Sequence, residues 1–475
     1  MLAASRNFPA NAAKGLADET LQRALAKAQT GFPLRRRLAV ERLPEFEALR
    51  EEGRAIKDHT LAHLDFYLEL FEQKVVMAGG RVHWARTADE ARALVLQICR
   101  SVGARIVAKG KSMIAEEIGL NEHLAAHGMT PVETDLGEYI IQLRREPPSH
   151  IIAPAIHLVK EQIADTFRAE HRNLARERPL DEARQLCDEA REVLRPRFLA
   201  ADVGVTGANF LVAETGSSII VTNEGNGDLA QTLPRVHIVL ASLEKLVPSF
   251  EDAATLLRLL ARSATGQEFS SYTTVSTGPR REGDLDGPEQ YHVVLLDNGR
   301  SALLGGEFQD MLRCIRCAAC LNHCPVYTAV GGHAYGWVYP GPMGAVLTPS
   351  LVGIAEAGHL PNASTFCGRC ESVCPMKIPL PKMMRHWRER EFAAGLAPRT
   401  VRTGLRVWAF LARRPALYHA LAEIASRALG WMGGERGRFR SLPLAAGWTQ
   451  VRDMPAPEGR SFHSLWAERR HKEPR

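Results

Sequence analysis

This 475-residue chain has no long apolar run and no glycine-rich phosphate loop, and no apolar leader is expected from its first residues. A membrane-crossing helix needs about 20 consecutive apolar residues. The nearest approach, Val407 to Met432, is cut by Arg413-Arg414-Pro415, Glu423 and Arg427. It reads as a pair of amphipathic helices packed on the core or on a partner, which leaves room for a peripheral contact with a membrane but not for a transmembrane segment. Met1-Leu-Ala-Ala-Ser-Arg-Asn-Phe-Pro9 lacks the sustained apolar segment of a signal peptide, so a reducing cytoplasm is expected, with any membrane contact at its inner face. Aromatics make up only 7% of the chain, and the formal charge of +6 is not gathered into a basic patch interleaved with them; nucleic acid is thereby excluded as a partner. No G-x-G-x-x-G follows a strand-like run. Gly110-Lys111-Ser112 imitates the end of a phosphate loop, but the glycine needed five residues earlier is Arg105, so a bound nucleotide is unsupported.

Cysteine is scarce too, yet seven of the nine fall into two matched sets. The first is Cys314-Ile-Arg-Cys317-Ala-Ala-Cys320-Leu-Asn-His-Cys324-Pro325, and the second is Cys367-Gly-Arg-Cys370-Glu-Ser-Val-Cys374-Pro375. The first reproduces the C-x2-C-x2-C-x3-C-P run of cluster-binding ferredoxins, in which the fourth cysteine ligates the other cluster. Two intervening residues let a tight turn point successive sulfurs inward, and the closing proline, with no N–H and a fixed φ, turns the chain away. Applied here, Cys314, Cys317, Cys320 and Cys374 hold one 4Fe-4S cluster, while Cys324, Cys367 and Cys370 hold a second. Ser364 stands where the second run should have its first cysteine, which leaves that cluster one thiolate short and prone to a 3Fe-4S form after oxidation. A zinc site fits less well, because seven thiolates make one tetrahedral set and three orphans. The two isolated cysteines, Cys99 and Cys187, read as small core residues of helices.

At ~150 residues per domain the length suggests about three domains. The first 50 residues are polar, and Arg35-Arg36-Arg37 reads as a solvated helix end or partner-facing arm. From Arg54 a helix is expected, with Leu61, Leu64, Leu68, Phe71 and Val75 at spacings of three and four and Gly79-Gly80 as its stop. Val82–Ala85 reads as a strand, and Thr87-Ala-Asp-Glu90 as a capping box opening the next helix. Beyond Arg105, short apolar runs at 105–109, 151–154, 236–240 and 291–297 alternate with helical stretches such as Met113–His127 and Glu251–Ser263. Such alternation predicts a largely parallel α/β sheet, with ligands at the carboxyl ends of its strands. The polar, glycine-bearing loops Thr134–Glu138, Glu214–Ser217 and Asn223–Gly227 are candidate pocket segments; turn formation alone would also explain them. An arginine-rich helical tail follows Met383 and ends in a solvated stretch.

These stretches together resemble one family, lactate utilisation protein B, the iron–sulfur subunit of bacterial L-lactate utilisation. The resemblance is carried by Glu133-Thr-Asp-Leu-Gly-Glu-Tyr-Ile-Ile-Gln142, Pro148-Ser-His-Ile-Ile-Ala-Pro-Ala155, Asn223-Glu-Gly-Asn-Gly227, Ser263-Ala-Thr-Gly-Gln267, Thr277-Gly-Pro-Arg280, Asp297-Asn-Gly-Arg300, Tyr339-Pro-Gly-Pro342 and both cysteine runs. It implies an α/β lactate-utilisation domain, similar in fold to the CoA-transferase and ribose-phosphate isomerase group, followed by an α-helical ferredoxin domain with two iron–sulfur clusters. The implied partition is a helical arm over residues 1–70, the α/β domain over 71–302, the 4Fe-4S domain over 303–390 and an arginine-rich extension over 391–475. Ala318-Ala319 departs from the glycine usual in the first run, whereas Ser364 is what the family has.

The resemblance further implies oxidation of L-lactate to pyruvate, with a cysteine-rich partner subunit and a second protein bearing the lactate-utilisation domain. Lactate oxidation removes two electrons, each cluster carries one, and no flavin or nicotinamide signature is present. The expected role is therefore electron transfer towards an unidentified acceptor, inactive without the partners. Two other readings stand beside it: a transferase- or isomerase-like enzyme with structural clusters, in which Glu214 is the natural nucleophile and Asp135 a second pocket carboxylate, and a docking scaffold.

Overall fold

The computed structural model describes all residues except 1–2, 176, 443–448, 450–451 and 473–475. The chain divides into Met1–Ala394 and Gly395–Arg475. Along the first unit run the strands β1 (Arg81–Ala85), β2 (Ile106–Lys109), β3 (Thr130–Glu133), β4 (Val203–Thr206), β5 (Phe210–Val212), β6 (Ser217–Thr222), β7 (Val236–Ser242), β8 (Leu246–Val247), β9 (Tyr272–Ser276) and β10 (Gln290–Leu296). Six of them form one sheet in the order β1-β10-β7-β4-β2-β3, parallel at every pairing. The other four form a second, mixed sheet in the order β8-β5-β6-β9.

A parallel sheet covered on both faces needs continuously apolar strands, and all seven residues of β7 are buried. On one face Ala91, Val95 and Leu96 of the helix Ala88–Ser101 pack with Val107, Val205, Ile238 and Val294. On the other, Leu64, Leu68, Phe71 and Val75 of the helix Leu64–Met77 pack with Val239, Val293 and Leu295. Gly204 of β4 permits the close approach of a further helix, Asn226–Thr232, since a Cβ there would lie 1.7 Å from the Ala230 carbonyl oxygen. A third core joins Phe46, Leu49 and Leu61, the helix residues Leu256 and Leu259, and Met311, Met343, Met376 and several cysteines of the paired runs.

Four expectations are corrected. The helix expected from Arg54 is two helices, Phe46–Ala62 and Leu64–Met77, broken at His63 with φ −125° and ψ 35°. The run at 151–154 is an irregular loop: Ile152 and Ala153 give their N–H groups to His150 Nδ1 at 3.2 and 3.1 Å, which removes them from any sheet ladder. The Arg35-Arg36-Arg37 run is not merely solvated, because half-buried Arg36 donates to the Val373 carbonyl at 2.9 Å. Cys187 is exposed rather than core, since the buried stripe of its helix runs through Leu186, Ala190 and Leu194, one residue out of phase with it. Cys99 is fully buried, and burial pushes its thiol up to about 12. The cap at Thr87 forms, its side chain accepting from the Glu90 N–H, while Glu90 reaches back to the Arg86 N–H at 2.7 Å.

The second unit begins with the helices Arg399–Ala412 and Pro415–Gly433. It continues with a short antiparallel pair, β11 (Arg438–Phe439) and β12 (Met454–Pro455), and the helix Phe462–Lys472. No residue of Arg399–Ala412 is buried. Among the described residues no helix is long and apolar enough to cross a membrane.

Candidate metal centres and the adjoining cavity

The two cysteine runs converge on two hollows. The first, about 370 Å³, is lined by Cys314, Cys317, Cys320 and Cys374, with Met311, Met343 and Ile378 around them. The second, about 460 Å³, is lined by Cys324, Cys367 and Cys370, and by Ser364. The last cysteine of each run thus crosses to the hollow of the other, as the ferredoxin spacing requires.

The backbone repeats along with the sequence. Cys314, Cys317, Cys320, Cys324 and Pro325 recur fifty positions later as Ser364, Cys367, Cys370, Cys374 and Pro375. A 3-10 turn leads into each run, Gln309–Arg313 and Leu360–Ala363. In the first run the second cysteine is flanked by left-handed residues, Arg316 at φ 61° and Ala318 at φ 60°; in the second these are Phe366 at φ 54° and Gly368 at φ 76°. A short helix then carries the third cysteine, Ala319–Asn322 in one and Arg369–Ser372 in the other. Left-handed residues on both sides of a cysteine bend the chain back, so neighbouring sulfurs face one hollow.

The chemistry of these walls fits iron–sulfur clusters. Burial raises the thiols of Cys317, Cys320 and Cys324, lifts Cys370 to about 12 and lifts Cys374 to about 11, so a metal has to displace their protons. Backbone N–H groups favour the sulfur anions: Tyr327 donates to Cys324 Sγ at 3.5 Å, and Ile378 and Met376 act on Cys374. Around the first hollow stand three guanidinium groups. Arg50 gives Nε and Nη2 to the Cys374 carbonyl at 3.1 and 2.7 Å, Arg36 holds the neighbouring Val373, and Arg316 lies between two of the cysteines.

Arg316 also belongs to a buried ionic network. It donates to Glu244 Oε1 at 3.0 Å and lies over the Tyr339 ring at 5.1 Å. Arg300, 1% exposed, bridges Glu244 to Glu117, which it grips through both terminal nitrogens at 3.0 and 2.6 Å. Tyr339 Oη donates to Glu117 Oε2 at 2.7 Å. Burial alone would raise the Glu244 carboxyl, but Arg300 and Arg316 hold it at about 2. This network ties the loops after β7 and β10 to the first cysteine loop.

A third hollow, about 1180 Å³, opens at the carboxyl ends of β2, β3, β4 and β7, the expected place for a ligand. Lys111, Asp135, Asn226, Lys245 and Arg316 line it. Asp135 caps the helix Leu136–Arg144, accepting from the N–H groups of Gly137 and Glu138 at 2.9 and 3.1 Å. Lys245 is 7% exposed and has no hydrogen-bond or ion-pair partner among the described residues; burial lowers it to about 8. Asn226 Oδ1 and the Nε and Nη1 of Arg316 are likewise buried without a partner. Of the loops expected to form a pocket, those at Asp135 and Asn223–Gly227 do so. Glu214 does not line this hollow: it is exposed and its carboxylate accepts the Phe250 N–H at 2.7 Å, at the start of the helix Phe250–Ala264. Lys245 and Arg316 escaped the sequence reading, although Arg316 sits in plain view between Cys314 and Cys317. Near the ends of β2 and β3 three carboxylates, Glu116, Glu133 and Glu138, could hold a metal ion, but the buried Lys109 ammonium occupies that place, paired with Glu116 and with Glu133 at 2.6 Å.

Comparison with known proteins accords with this geometry. The LUD domain model matches residues 68–296, the 4Fe-4S dicluster domain 310–378, and the model described as lactate utilisation protein B, C-terminal, 377–471. Lactate utilization protein B of Lysinibacillus sphaericus is 43% identical over 99% of this chain and 98% of its own length. That of Oceanobacillus iheyensis is 44% identical over 96% and 95%, and that of Bacillus subtilis 42% over 97% and 96%. A solved duf162 family protein from Deinococcus radiodurans covers 49% of this chain and 98% of that one at 14% identity, but its TM-score of 0.28 is too low to bear on the fold. At such identity over nearly the whole length, the chain belongs to the lactate utilisation protein B family.

Proposed function

We propose that this chain is the iron–sulfur electron-transfer subunit of a multi-protein system that oxidises L-lactate to pyruvate. The observation that carries the reading is the pair of thiol-lined hollows that exchange their last cysteines. Cys314, Cys317, Cys320 and Cys374 would hold one 4Fe-4S cluster; Cys324, Cys367 and Cys370 would hold the other, with Ser364 at its open corner. Bound there, the clusters supply one-electron carriage. The protein supplies buried walls that exclude water, N–H groups that favour the sulfur anions, and the charges of Arg36, Arg50 and Arg316, which favour added negative charge. Residues 71–302 would act as the lactate-utilisation domain, 303–390 as the cluster domain, and 1–70 and 391–475 as flanking segments. A cysteine-rich subunit and a second lactate-utilisation-domain protein would complete the system and connect it to an acceptor. Glu214 stands outside the large hollow, so nothing favours the transferase reading built on it.

The test is reduction by L-lactate. In the anaerobic assembled complex the clusters should lose visible absorption on adding L-lactate, while the purified chain alone should give no pyruvate with an artificial acceptor. Robust turnover by this chain alone, with no flavin in the preparation, removes the electron-carrier reading.

We also infer a peripheral position at the inner face of the membrane. Between residues 399 and 433 there are six arginines and one glutamate, and Val401, Leu405 and Trp408 on one helix face are 49%, 48% and 60% exposed. A basic helix with an uncovered apolar stripe suits an anionic lipid surface.

A further inference from the structure

We propose that the large hollow at the carboxyl ends of the parallel strands binds a small hydroxy-acid anion, its carboxylate on Lys245 and Arg316 and its hydroxyl on Asn226. The proposal rests on the electron-carrier reading, since it gives that reading a substrate class and a place beside the first cysteine loop.

Unpartnered groups lining the hollow define the ligand. A buried cation with no hydrogen-bonded counter-ion is costly unless something neutralises it, and Lys245, though it feels the charges of Glu244 and Cys314, makes no hydrogen bond or ion pair among the described residues. Arg316 shares its Nη2 with Glu244, but its Nε and Nη1 are buried and unsatisfied. Two such cations, near enough to act on each other across one hollow, call for an anion, and the guanidinium fork suits a planar carboxylate better than a point charge does. Glu244 does not supply the missing charge, because it is already shared between Arg300 and Arg316. Asn226 adds the second feature: its Oδ1 is a buried acceptor with no donor, while its Nδ2 reaches Thr134 at 3.4 Å. An acceptor left over in the same hollow calls for an O–H or N–H on the ligand, which a hydroxy acid has and a simple fatty acid lacks. Two acidic residues also line the hollow: Asp135 is engaged with two backbone N–H groups, and burial together with the Asp135 charge raises the Glu224 carboxyl, which lessens its repulsion of an anion.

Arg316 gives the site its second consequence. It lines the hollow and lies between Cys314 and Cys317. An anion on its guanidinium changes the charge next to the first cluster, so binding should be visible in that cluster's paramagnetic spectrum as well as in heat.

The experiment uses the full chain, anaerobic and loaded with iron and sulfide, titrated calorimetrically with L-lactate, propionate, lactamide and inorganic phosphate. L-Lactate should bind; propionate, without the hydroxyl, should bind several-fold more weakly, and neutral lactamide should not bind. Lys245→Met should weaken L-lactate roughly ten- to hundredfold, as expected for loss of a charged hydrogen bond, with iron content unchanged. Asn226→Ala should weaken L-lactate roughly three- to tenfold and leave propionate alone. Phosphate binding as tight as L-lactate, lactamide binding equal to lactate, or a Lys245→Met chain that binds like wild type would each overturn the assignment, as would no binding to the loaded chain. The two ideas fail separately. Clusters that stay oxidised in a complete complex while the chain binds L-lactate remove the electron-carrier reading and leave this site standing; reduction by L-lactate without binding here does the reverse.

Discussion

Ala318 and Gly368 occupy the same place in the two cysteine loops, both with left-handed backbones, at φ 60° and φ 76°. Exchanging a single methyl at each should give unequal results. A left-handed conformation costs an L-residue about 1–2 kcal/mol, and glycine's greater freedom in the unfolded chain takes back about 0.4–1 kcal/mol of that. At Gly368 a Cβ would meet no heavy atom within 4 Å, so an added methyl neither clashes nor packs, and Gly368→Ala should cost about 1 kcal/mol. Ala318 is only 2% exposed and belongs to the shared core. Its methyl contributes up to about 0.8 kcal/mol by burial, which nearly cancels the backbone strain. Ala318→Gly should therefore be neutral to within about 0.5 kcal/mol, and alanine can stand where glycine is usual. The assay is the urea midpoint for loss of visible cluster absorption, measured anaerobically on chains with equal iron and sulfide. With a slope of a few kcal/mol per molar for a protein of this size, Gly368→Ala should lower the midpoint by a few tenths molar. A neutral Gly368→Ala, or an Ala318→Gly chain more stable by 1 kcal/mol or above, would refute the reasoning.

Three further outcomes are expected. Brief exposure to air should convert only the second cluster to a three-iron form, seen as a new paramagnetic signal, because Ser364 is a harder donor than a thiolate. Ser364→Cys should suppress the conversion, and a variant converting as readily as wild type would show that residue 364 is not at the open corner. Burial holds His237 neutral, lowering it from 6.5 to about 3, with its Nε2 paired to Thr206 Oγ1 at 2.8 Å. The unfolded chain gains that proton near 6.5 and the folded chain only near 3, so this stability is complete above 6.5 and is lost as pH falls from 6.5 towards 3. His237→Gln should flatten the acid side of the urea-midpoint profile by up to about 1.4 kcal/mol per pH unit; an unchanged slope argues against a neutral buried imidazole. The chain should float with vesicles containing anionic lipid and not with neutral ones, and Trp408→Glu or added salt should release it. Equal flotation with neutral vesicles would discard the lipid-surface reading in favour of a partner protein.

What the sequence made legible follows from the range of the interactions involved. Ligation by C-x2-C-x2-C is local, so the spacing alone placed seven cysteines in two groups, and the hollows assemble those same groups. Strands buried on both faces are continuous apolar runs, so β2, β7 and β10 could be read directly, and β1, an edge strand only partly buried, was read from its short β-type run, whereas β5 and β8, at three and two residues, are too short to carry a period. The run at 151–154 had the composition of a strand but not its hydrogen bonding, because the His150 ring takes the N–H groups that a ladder would need. Cation placement was the least legible. Arginines usually mark solvated surface, yet Arg50 and Arg316 are buried at 8% exposure, each held by acceptors remote in sequence: Arg50 by Ser372 and Cys374, Arg316 by Glu244. The same long range explains why Glu214 looked reactive and Lys245 did not. Glu214 sits in one of the polar, glycine-bearing loops, but its carboxylate is used at a helix start. Lys245 follows β7 in an unremarkable Leu-Glu-Lys turn, and its lack of an ion-pair partner emerges only when the ends of β2, β3 and β4 and the first cysteine loop, with Arg316, come to line the same hollow. A local pattern can nominate ligands for a metal because the metal dictates their spacing. An anion site assembled from four strand ends and a distant loop has no spacing to read.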